Sequence, residues 1–131
     1  LATLTGACVT ALGEKIAGLF SNDEVLAETI LSAGEKTGER CWRMPLADEY
    51  RKKLDSEVAD INNIGKNPAG GAIVAALFLA EFVEDAAFAH IDIAGPSFIE
   101  KKNAYCGAGG TGFGVRLLCE LLERLQAWTQ K

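Results

Sequence analysis

The sequence predicts an α/β protein in which a mixed sheet lies between two layers of helices. Segments with strand and helix patterns alternate along the chain, in the order strand, helix, strand, three helices, strand and helix. Residues 88–93 are apolar with few breaks, which is typical of a strand in a parallel or mixed sheet that is covered on both faces. The 14 glycines and the 8% aromatic content suit close packing of helices on such a sheet.

Each element follows from local patterns. The predicted extended segments are residues 1–4, 15–20, 41–45 and 88–93. The predicted helices are a short one that follows residues 5–7 and stops near Gly13, then 23–36, 47–54, 72–83 and a last one that ends near Trp128. Residues 58–65 and 97–114 are predicted to be loops. The chain is predicted to form one domain.

The second predicted helix has clear start and stop signals. Ser21 and Glu24 have the spacing of a capping box, in which the Ser21 side chain accepts from the Glu24 backbone. Leu26, Ile30 and Ala33 then recur at helical spacing, which predicts one buried face. Gly38 is expected to end the helix.

Charge and hydropathy exclude two classes of partner. The net charge is −5 and no basic patch is present, so the sequence predicts no nucleic-acid binding. The longest apolar stretch, residues 72–80 with Phe82 and Val83, is shorter than the roughly 20 residues of a membrane span, and no signal-peptide pattern is visible. We therefore expect no membrane partner and a cytoplasmic location.

The four cysteines are far apart in the sequence and lack the spacing of a zinc site. We expect reduced and mostly buried thiols, as is usual in the cytoplasm. Cys106 lies next to a glycine-rich segment and is expected to be the most exposed of the four.

Two strand ends are candidate ligand sites, since ligands of open α/β sheets bind beyond the carboxyl ends of the strands. These turns are residues 3–7 and 92–96, and both contain glycine. His90 and Asp92 lie on one face of the second strand and could bind a metal. The alternative is a buried histidine satisfied by a hydrogen bond, with Asp92 capping the next turn.

Other candidate motifs give weaker signals. Residues 107–114 are rich in glycine, but no Gly-Lys-Ser/Thr ending follows, so a flexible connection is favoured over a phosphate loop. His90 is the one histidine, and Ser97 has no evident triad partners, which argues against serine or cysteine nucleophilic catalysis. Lys101 and Lys102 are predicted to be solvated.

Several segments, in order along almost the whole chain, resemble the leucyl (cytosol) aminopeptidase family. They are residues 2–7 (ATLTGA), 42–46 (WRMPL), 59–65 (ADINNIG), 69–79 (a Gly/Ala-rich helix), 89–95 (AHIDIAG) and 111–112 (TG). The resemblance implies a three-layer α/β/α fold with a mixed sheet, like that of zinc peptidases. It implies that residues 1–131 are the C-terminal portion of the catalytic domain of a metalloaminopeptidase that removes N-terminal residues from peptides.

The resemblance also implies that the metal centre lies elsewhere. The family's signature N-T-D-A-E-G-R and its other metal ligands precede the ATLTGA segment and have no counterpart among these residues. Two divalent ions, Zn or Mn, are therefore expected in the intact enzyme, with none bound by this chain alone. No catalytic residue and no metal ligand is assigned to it, and His90 and Asp92 become weaker metal candidates.

What the resemblance carries over is substrate binding. Thr3 is expected to help form the S1 wall, Leu4 backbone atoms to face the substrate peptide group, and the Gly6 amide to donate beyond the scissile bond. Ala94 matches an S1 position. Ser97 falls where many members of the family have a larger apolar residue, which implies a roomier or more polar S1 pocket.

The expected partners are peptide substrates, the upstream half of the same catalytic domain and further copies of the protein, since the family forms hexamers. The chain opens on an apolar stretch with Leu1 rather than Met, which suggests a fold truncated at its N-terminal side. An uncovered sheet edge and marginal stability or self-association are then expected. The alternatives are an inactive oligomerisation or interaction fragment of the family and an unrelated small-molecule-binding domain.

Overall fold

The structure is a computed structural model that describes residues 1–65 and 67–129. Its α-helices are α1 (Gly6–Leu12), α2 (Glu24–Thr37), α3 (Gly71–Ala80) and α4 (Val115–Thr129), and a 3₁₀ helix spans Asp48–Leu54. Its strands are β1 (Ala17–Ser21), β2 (Cys41–Arg43), β3 (Ala89–Asp92), β4 (Phe98–Ile99) and β5 (Gly109–Gly110). Among the helices so described, none combines the length and the apolar character that a membrane crossing needs.

The main sheet is mixed, as the sequence predicts. Its strand order is β2-β1-β3, with β1 parallel to β2 and antiparallel to β3. The predicted strand at residues 1–4 is reduced to one parallel bridge between Ala2 and Asp92. The Ala2 amide donates to the Ile91 carbonyl at 3.1 Å, and the Ile93 amide donates to the Ala2 carbonyl at 2.9 Å. The chain therefore leaves the sheet immediately after Ala2.

Helices cover both faces of this sheet, which confirms the three-layer α/β/α class. Alternate side chains of β1 point to opposite faces. Leu19 packs in a core with residues of β3, α2 and α4. Phe20 packs in a second core with Cys8 of α1 and with Ala72 and Ala76 of α3. No residue of α3 is exposed, which agrees with its uniformly apolar sequence.

The N-cap of α2 is Asp23, and the predicted capping by Ser21 is wrong. The Asp23 carboxylate accepts from the Leu26 amide at 2.7 Å. Ser21 is the last residue of β1, and its hydroxyl donates to the Phe88 carbonyl at 2.6 Å. β1 begins two residues later and ends one residue later than predicted, and the bond to Phe88 holds Ser21 in the sheet. Gly38, at φ 73°, ends the helix as predicted.

The predicted irregular loop over residues 97–114 contains a short hairpin of β4 and β5. The Thr111 amide donates to the Ser97 carbonyl at 2.9 Å, and the Thr111 hydroxyl donates to the Pro96 carbonyl at 2.6 Å. These bonds attach the glycine-rich segment to the end of β3. The segment is therefore a paired structure rather than a free connection.

The four cysteines are unpaired, but their burial differs from the prediction. Cys8 is buried, Cys41 and Cys106 are half-buried, and Cys119 is exposed. Cys106 is thus not the most exposed thiol, because the N–H groups of residues 105 and 106 both donate to the Asn103 side chain and fold this loop on itself. Burial, reinforced by the charge of Glu39, raises the pKa of the Cys41 thiol to about 12.

A buried carboxylate from outside the helix caps the first turn of α4. Glu39 lies in the connection between α2 and β2 and is 2% exposed. Its Oε2 accepts from the Leu117 amide in the first turn of α4 at 2.8 Å, and its Oε1 accepts from Arg116 at 3.3 Å. A side chain from another element therefore satisfies an N–H group that the helix cannot pair itself.

The 3₁₀ helix holds the loop that leads into α3. The Asn62 amide donates to the Leu54 carbonyl at 2.7 Å. The Lys53 ammonium donates to the Asn67 side chain at 3.1 Å and to the Ala69 carbonyl, and it lies 4.8 Å from the centre of the Tyr50 ring. Gly70, at φ 71°, places its backbone against the same ring. The loop is therefore fixed at both of its ends.

Replacing Glu39 with alanine is expected to destabilise the fold by about 1–3 kcal/mol, because the Leu117 N–H would lose its partner in a buried place. Glu35→Ala is the matched control, since Glu35 is an exposed glutamate near the end of α2. Urea unfolding followed by far-ultraviolet circular dichroism measures both. Equal stability of the two variants would contradict the capping role.

Lys53→Met keeps the aliphatic stem but removes the ammonium group, so the loop around Asn67 should open more often. We expect hydrogen exchange at the Asn67 and Ala69 amides to become about three- to fivefold faster. Lys52→Met is the control, because Lys52 is exposed on the same 3₁₀ helix. Exchange that is equally fast in both variants would show that the ammonium group does not hold the loop.

Candidate functional site

The candidate site is the turn of residues 3–6, which lies at the carboxyl end of β3. Asp92, the last residue of β3, is 1% exposed. Its Oδ1 accepts from the Leu4 and Ala94 amides, each at 3.1 Å. Its Oδ2 accepts from the Thr5 amide at 3.1 Å and from the Thr5 hydroxyl at 2.8 Å. One carboxylate thus joins the two turns that the sequence singled out as separate strand ends.

The turn continues directly into α1. The Thr5 hydroxyl is the N-cap of this helix and accepts from the Cys8 amide at 3.0 Å. Burial raises the pKa of the Cys8 thiol, and the nearby charge of Asp92 raises it further. Cys8 is therefore a neutral packing residue beneath the turn at neutral pH, not a reactive thiolate.

The predicted substrate-binding residues of the turn face outward. Thr3, Leu4 and Gly6 are exposed, whereas Thr5 is half-buried against Asp92. The carboxylate thus holds the turn through the Leu4 and Thr5 amides, and Thr3, Leu4 and Gly6 form the exposed surface of the turn. Such a surface offers N–H and C=O groups in fixed directions to a ligand.

Ala94 lies next to this turn, and Ser97 follows Ala94 by three residues. The Leu4 and Ala94 amides share Asp92 Oδ1, so these two predicted positions are neighbours. Ser97 is half-buried, and its amide donates to the Ile93 carbonyl at 3.0 Å. The Ser97 carbonyl accepts from the Thr111 amide, so the Ser97 backbone is bonded both to the end of β3 and to the segment that follows β5.

Two clefts adjoin these residues. A cleft of about 560 Å³ has Leu4 and Thr5 on one side and residues 63–65, 67 and 68 with α3 on the other. A second cleft, also of about 560 Å³, is lined by Ala94, Gly95 and Phe98 together with Glu14. Ser97 is not among the lining residues of the second cleft, so its predicted place in a pocket with Ala94 stays a prediction.

Gly95 is required by close packing. It is buried, and a Cβ atom at this position would collide with the carbonyl oxygen of Gly13. The turn after β3 therefore packs directly on the backbone that follows α1. A glycine is needed there because any side chain would push the two turns apart.

His90 is buried beside this site but does not complete a metal centre with Asp92. It is 2% exposed, and its ring stacks on Phe20 with centroids 5.9 Å apart. Desolvation lowers its pKa. Its Nε2 has no hydrogen-bond partner, so the expectation of a histidine satisfied by a hydrogen bond is wrong for this atom.

The metal chemistry of a two-metal enzyme does not fit these residues. Both Asp92 oxygens are already engaged by N–H and O–H donors. Within residues 1–65 and 67–129, no group of three or more His, Cys, Asp or Glu side chains could hold a metal ion. The described residues around Asp92 therefore lack the ligand set of such a centre.

Capping of the turn after β3 by Asp92 was one expected alternative, and the bond from Ala94 confirms it. Sequence reasoning missed two other parts of this site. The bonds from Leu4 and Thr5 were not expected, because they join residues 87 and 88 positions apart. The residues of the first cleft around Asn63 were predicted only as loop. Thr5 ahead of Gly6 is an N-cap signal that could have located the start of α1.

Comparison with known proteins identifies the family of this chain. The model of the cytosol aminopeptidase family, catalytic domain, matches residues 1–119. A probable cytosol aminopeptidase of Chloroherpeton thalassium is 57% identical over 124 residues, which are 94% of this chain and 24% of that protein. A probable cytosol aminopeptidase of a Cyanothece species is 53% identical over 118 residues, 90% of this chain and 24% of that protein.

Solved structures give the same result. The bottromycin maturation enzyme BotP is similar with a TM-score of 0.90 and 44% identity over 95% of this chain and 28% of that one. A structure of BotP in complex with Mn has a TM-score of 0.89 and 45% identity, covering 94% of this chain and 27% of that one.

The chain thus spans about a quarter of the length of these relatives. The match nevertheless covers nearly all of the chain, including both turns that Asp92 joins and the whole main sheet. This chain belongs to the cytosol aminopeptidase family, whose catalytic-domain model matches residues 1–119.

Proposed function

We propose that the complete protein is a metal-dependent aminopeptidase that removes N-terminal residues from peptides, and that this chain forms part of its substrate-binding wall. Family membership supports the reaction class. The observation that carries the role of the chain is the outward-facing turn of Thr3, Leu4 and Gly6, which is held from beneath by buried Asp92.

The chemistry of the turn suits a peptide ligand. A peptide presents alternating N–H and C=O groups, and exposed backbone of fixed direction can pair with them. In this proposal the backbone of Leu4 faces the substrate peptide group, and the Gly6 amide donates beyond the scissile bond. The role of the chain is to orient the peptide, which lowers the entropic part of the barrier.

The pocket for the N-terminal side chain of the substrate is proposed to include Thr3, Ala94 and Ser97. The proximity of Leu4 and Ala94 on Asp92 Oδ1 supports a wall shared by the two turns. With serine at position 97, this pocket would be roomier or more polar than one with a large apolar residue there.

The metal ions of the proposal are two divalent cations, Zn²⁺ or Mn²⁺, bound by residues outside this chain. The similarity to BotP, whose structure was solved in complex with Mn, supports divalent metal use by the complete protein. We propose that residues 1–131 are the C-terminal portion of the catalytic domain, completed by its upstream half. A cytoplasmic hexamer is the proposed state of the whole enzyme, and the name of the relatives supports the location.

A non-catalytic interaction role is the second candidate, and one observation favours it. Val115, Leu118 and Leu122 follow helical spacing along α4 and are 63%, 39% and 64% exposed. An apolar stripe of this kind suits a protein contact. Light scattering of the isolated chain distinguishes the two: association would favour this role, and a clean monomer would argue against it.

Hydrolysis of leucine p-nitroanilide tests the proposed enzyme. We expect the complete protein to cleave it with Mn²⁺ or Zn²⁺ and to lose at least tenfold in rate after metal removal by a chelator. The 131-residue chain is expected to be inactive under the same conditions, because its described residues contain no metal-binding cluster. Adding the metal back should restore the hydrolysis rate of the complete protein.

Two results would contradict this proposal. Robust hydrolysis by the 131-residue chain alone would show that it contains a catalytic centre. Hydrolysis by the complete protein that is insensitive to chelation would exclude metal dependence.

A further inference from the structure

We propose that Asp92 and Thr5 are positioning residues for the peptide substrate, since together they fix the turn whose backbone would bind it. The proposal rests on the aminopeptidase function proposed above. It goes further by naming the side chains that determine the geometry of the binding surface. Neither residue is assigned a contact with the substrate.

The path of the chain between Ala2 and α1 depends on these two residues. Ala2 makes the last bridge to β3, and α1 begins at Gly6. The amides of Leu4 and Thr5 lie between these points, outside both sheet and helix, and both donate to the Asp92 carboxylate. The direction of the Leu4 peptide group is therefore determined by Asp92 and not by secondary structure.

Asp92 accepts hydrogen bonds from neutral donors. The carboxylate is 1% exposed, and no salt bridge to it forms in the described part of the chain. Its four donors are three backbone N–H groups and one hydroxyl. Hydrogen bonds to a buried carboxylate are strong and directional, so small displacements of the turn are opposed.

Thr5 links this carboxylate to α1. Its hydroxyl donates to Asp92 at 2.8 Å and accepts from the Cys8 amide at 3.0 Å. Hence one oxygen atom connects the end of β3 to the start of α1. A valine at position 5 would break both bonds with little change in volume, and a serine would keep both.

The kinetics of variants of the complete protein test this role. KM and kcat are measured with leucine p-nitroanilide and with a tripeptide that begins with leucine. We expect Thr5→Val to raise KM for the tripeptide about tenfold and to lower kcat by about two- to threefold, because a looser turn binds the peptide more weakly and holds it less often in the geometry for attack. Thr5→Ser should stay within about twofold of wild type.

Thr29→Val is the matched control. Thr29 is a buried threonine on α2 whose hydroxyl donates to the Val25 carbonyl, so the same hydroxyl is removed far from the turn. We expect wild-type KM and kcat from this variant. The proposal would be overturned if Thr29→Val raised KM as much as Thr5→Val does. It would also be overturned if Thr5→Val kept the KM of the wild type.

Hydrogen exchange provides a second readout that does not depend on activity. Asp92→Asn places an NH₂ group against an N–H donor, and we expect the Leu4 and Thr5 amides to exchange at least about tenfold faster in this variant and in Thr5→Val. If Asp92→Asn does not fold, the milder Thr5→Val variant still gives the answer.

The outcomes separate this inference from the proposed function. Unchanged exchange at Leu4 and Thr5 in the Thr5→Val variant would overturn the inference alone. A wild-type protein that hydrolyses neither substrate would contradict the proposed function, and with it the claim that this turn positions a peptide.

Discussion

The buried carboxylate of Asp92 determines the arrangement of the candidate site. It lies at the end of β3, where the first turn, the start of α1 and the turn after β3 meet, and it accepts a hydrogen bond from each. A buried carboxylate without an ionic partner is costly unless donors surround it. The hydrogen bonds from the two turns offset this cost, and the carboxylate in return holds both turns in place.

The packing beneath the site uses small residues. α1 and α3 cover one face of the sheet through Cys8, Ala72 and Ala76, which allow these helices to lie close to Phe20. The loop that leads into α3 is held by Lys53 of the 3₁₀ helix, which bonds to Asn67. As a result, that loop faces the turn of Leu4 and Thr5 across the first cleft. The cleft is thus a consequence of helix packing as much as of the turn itself.

Much of the fold could be predicted from the sequence, because its elements have strong local signals. The apolar run of β3, the helical spacing of Leu26 and Ile30 and the stop at Gly38 each depend on nearby residues. The N-cap at Asp23 was missed because a tertiary bond from Ser21 to Phe88 extends β1. The β4–β5 hairpin was missed because glycine-rich segments carry no strand pattern.

The site was predictable in part. The two strand-end turns were identified from local glycine and strand patterns, and the family resemblance added the roles of Thr3, Leu4, Gly6, Ala94 and Ser97, which stay proposals. That Asp92 joins the two turns could not be predicted, because the contact depends on the bridge between Ala2 and β3. Long-range hydrogen bonds of this kind leave no periodic signal in a sequence.

The most direct measurement is a crystal structure of the complete protein with a non-hydrolysable peptide analogue and Mn²⁺. We predict that backbone atoms of Leu4 and Gly6 lie within about 3.2 Å of polar atoms of the analogue, that Asp92 accepts from Leu4 and Thr5, and that the metal ligands come from outside this chain. An analogue bound away from this turn, or an Asp92 carboxylate turned onto a metal ion, would contradict the account.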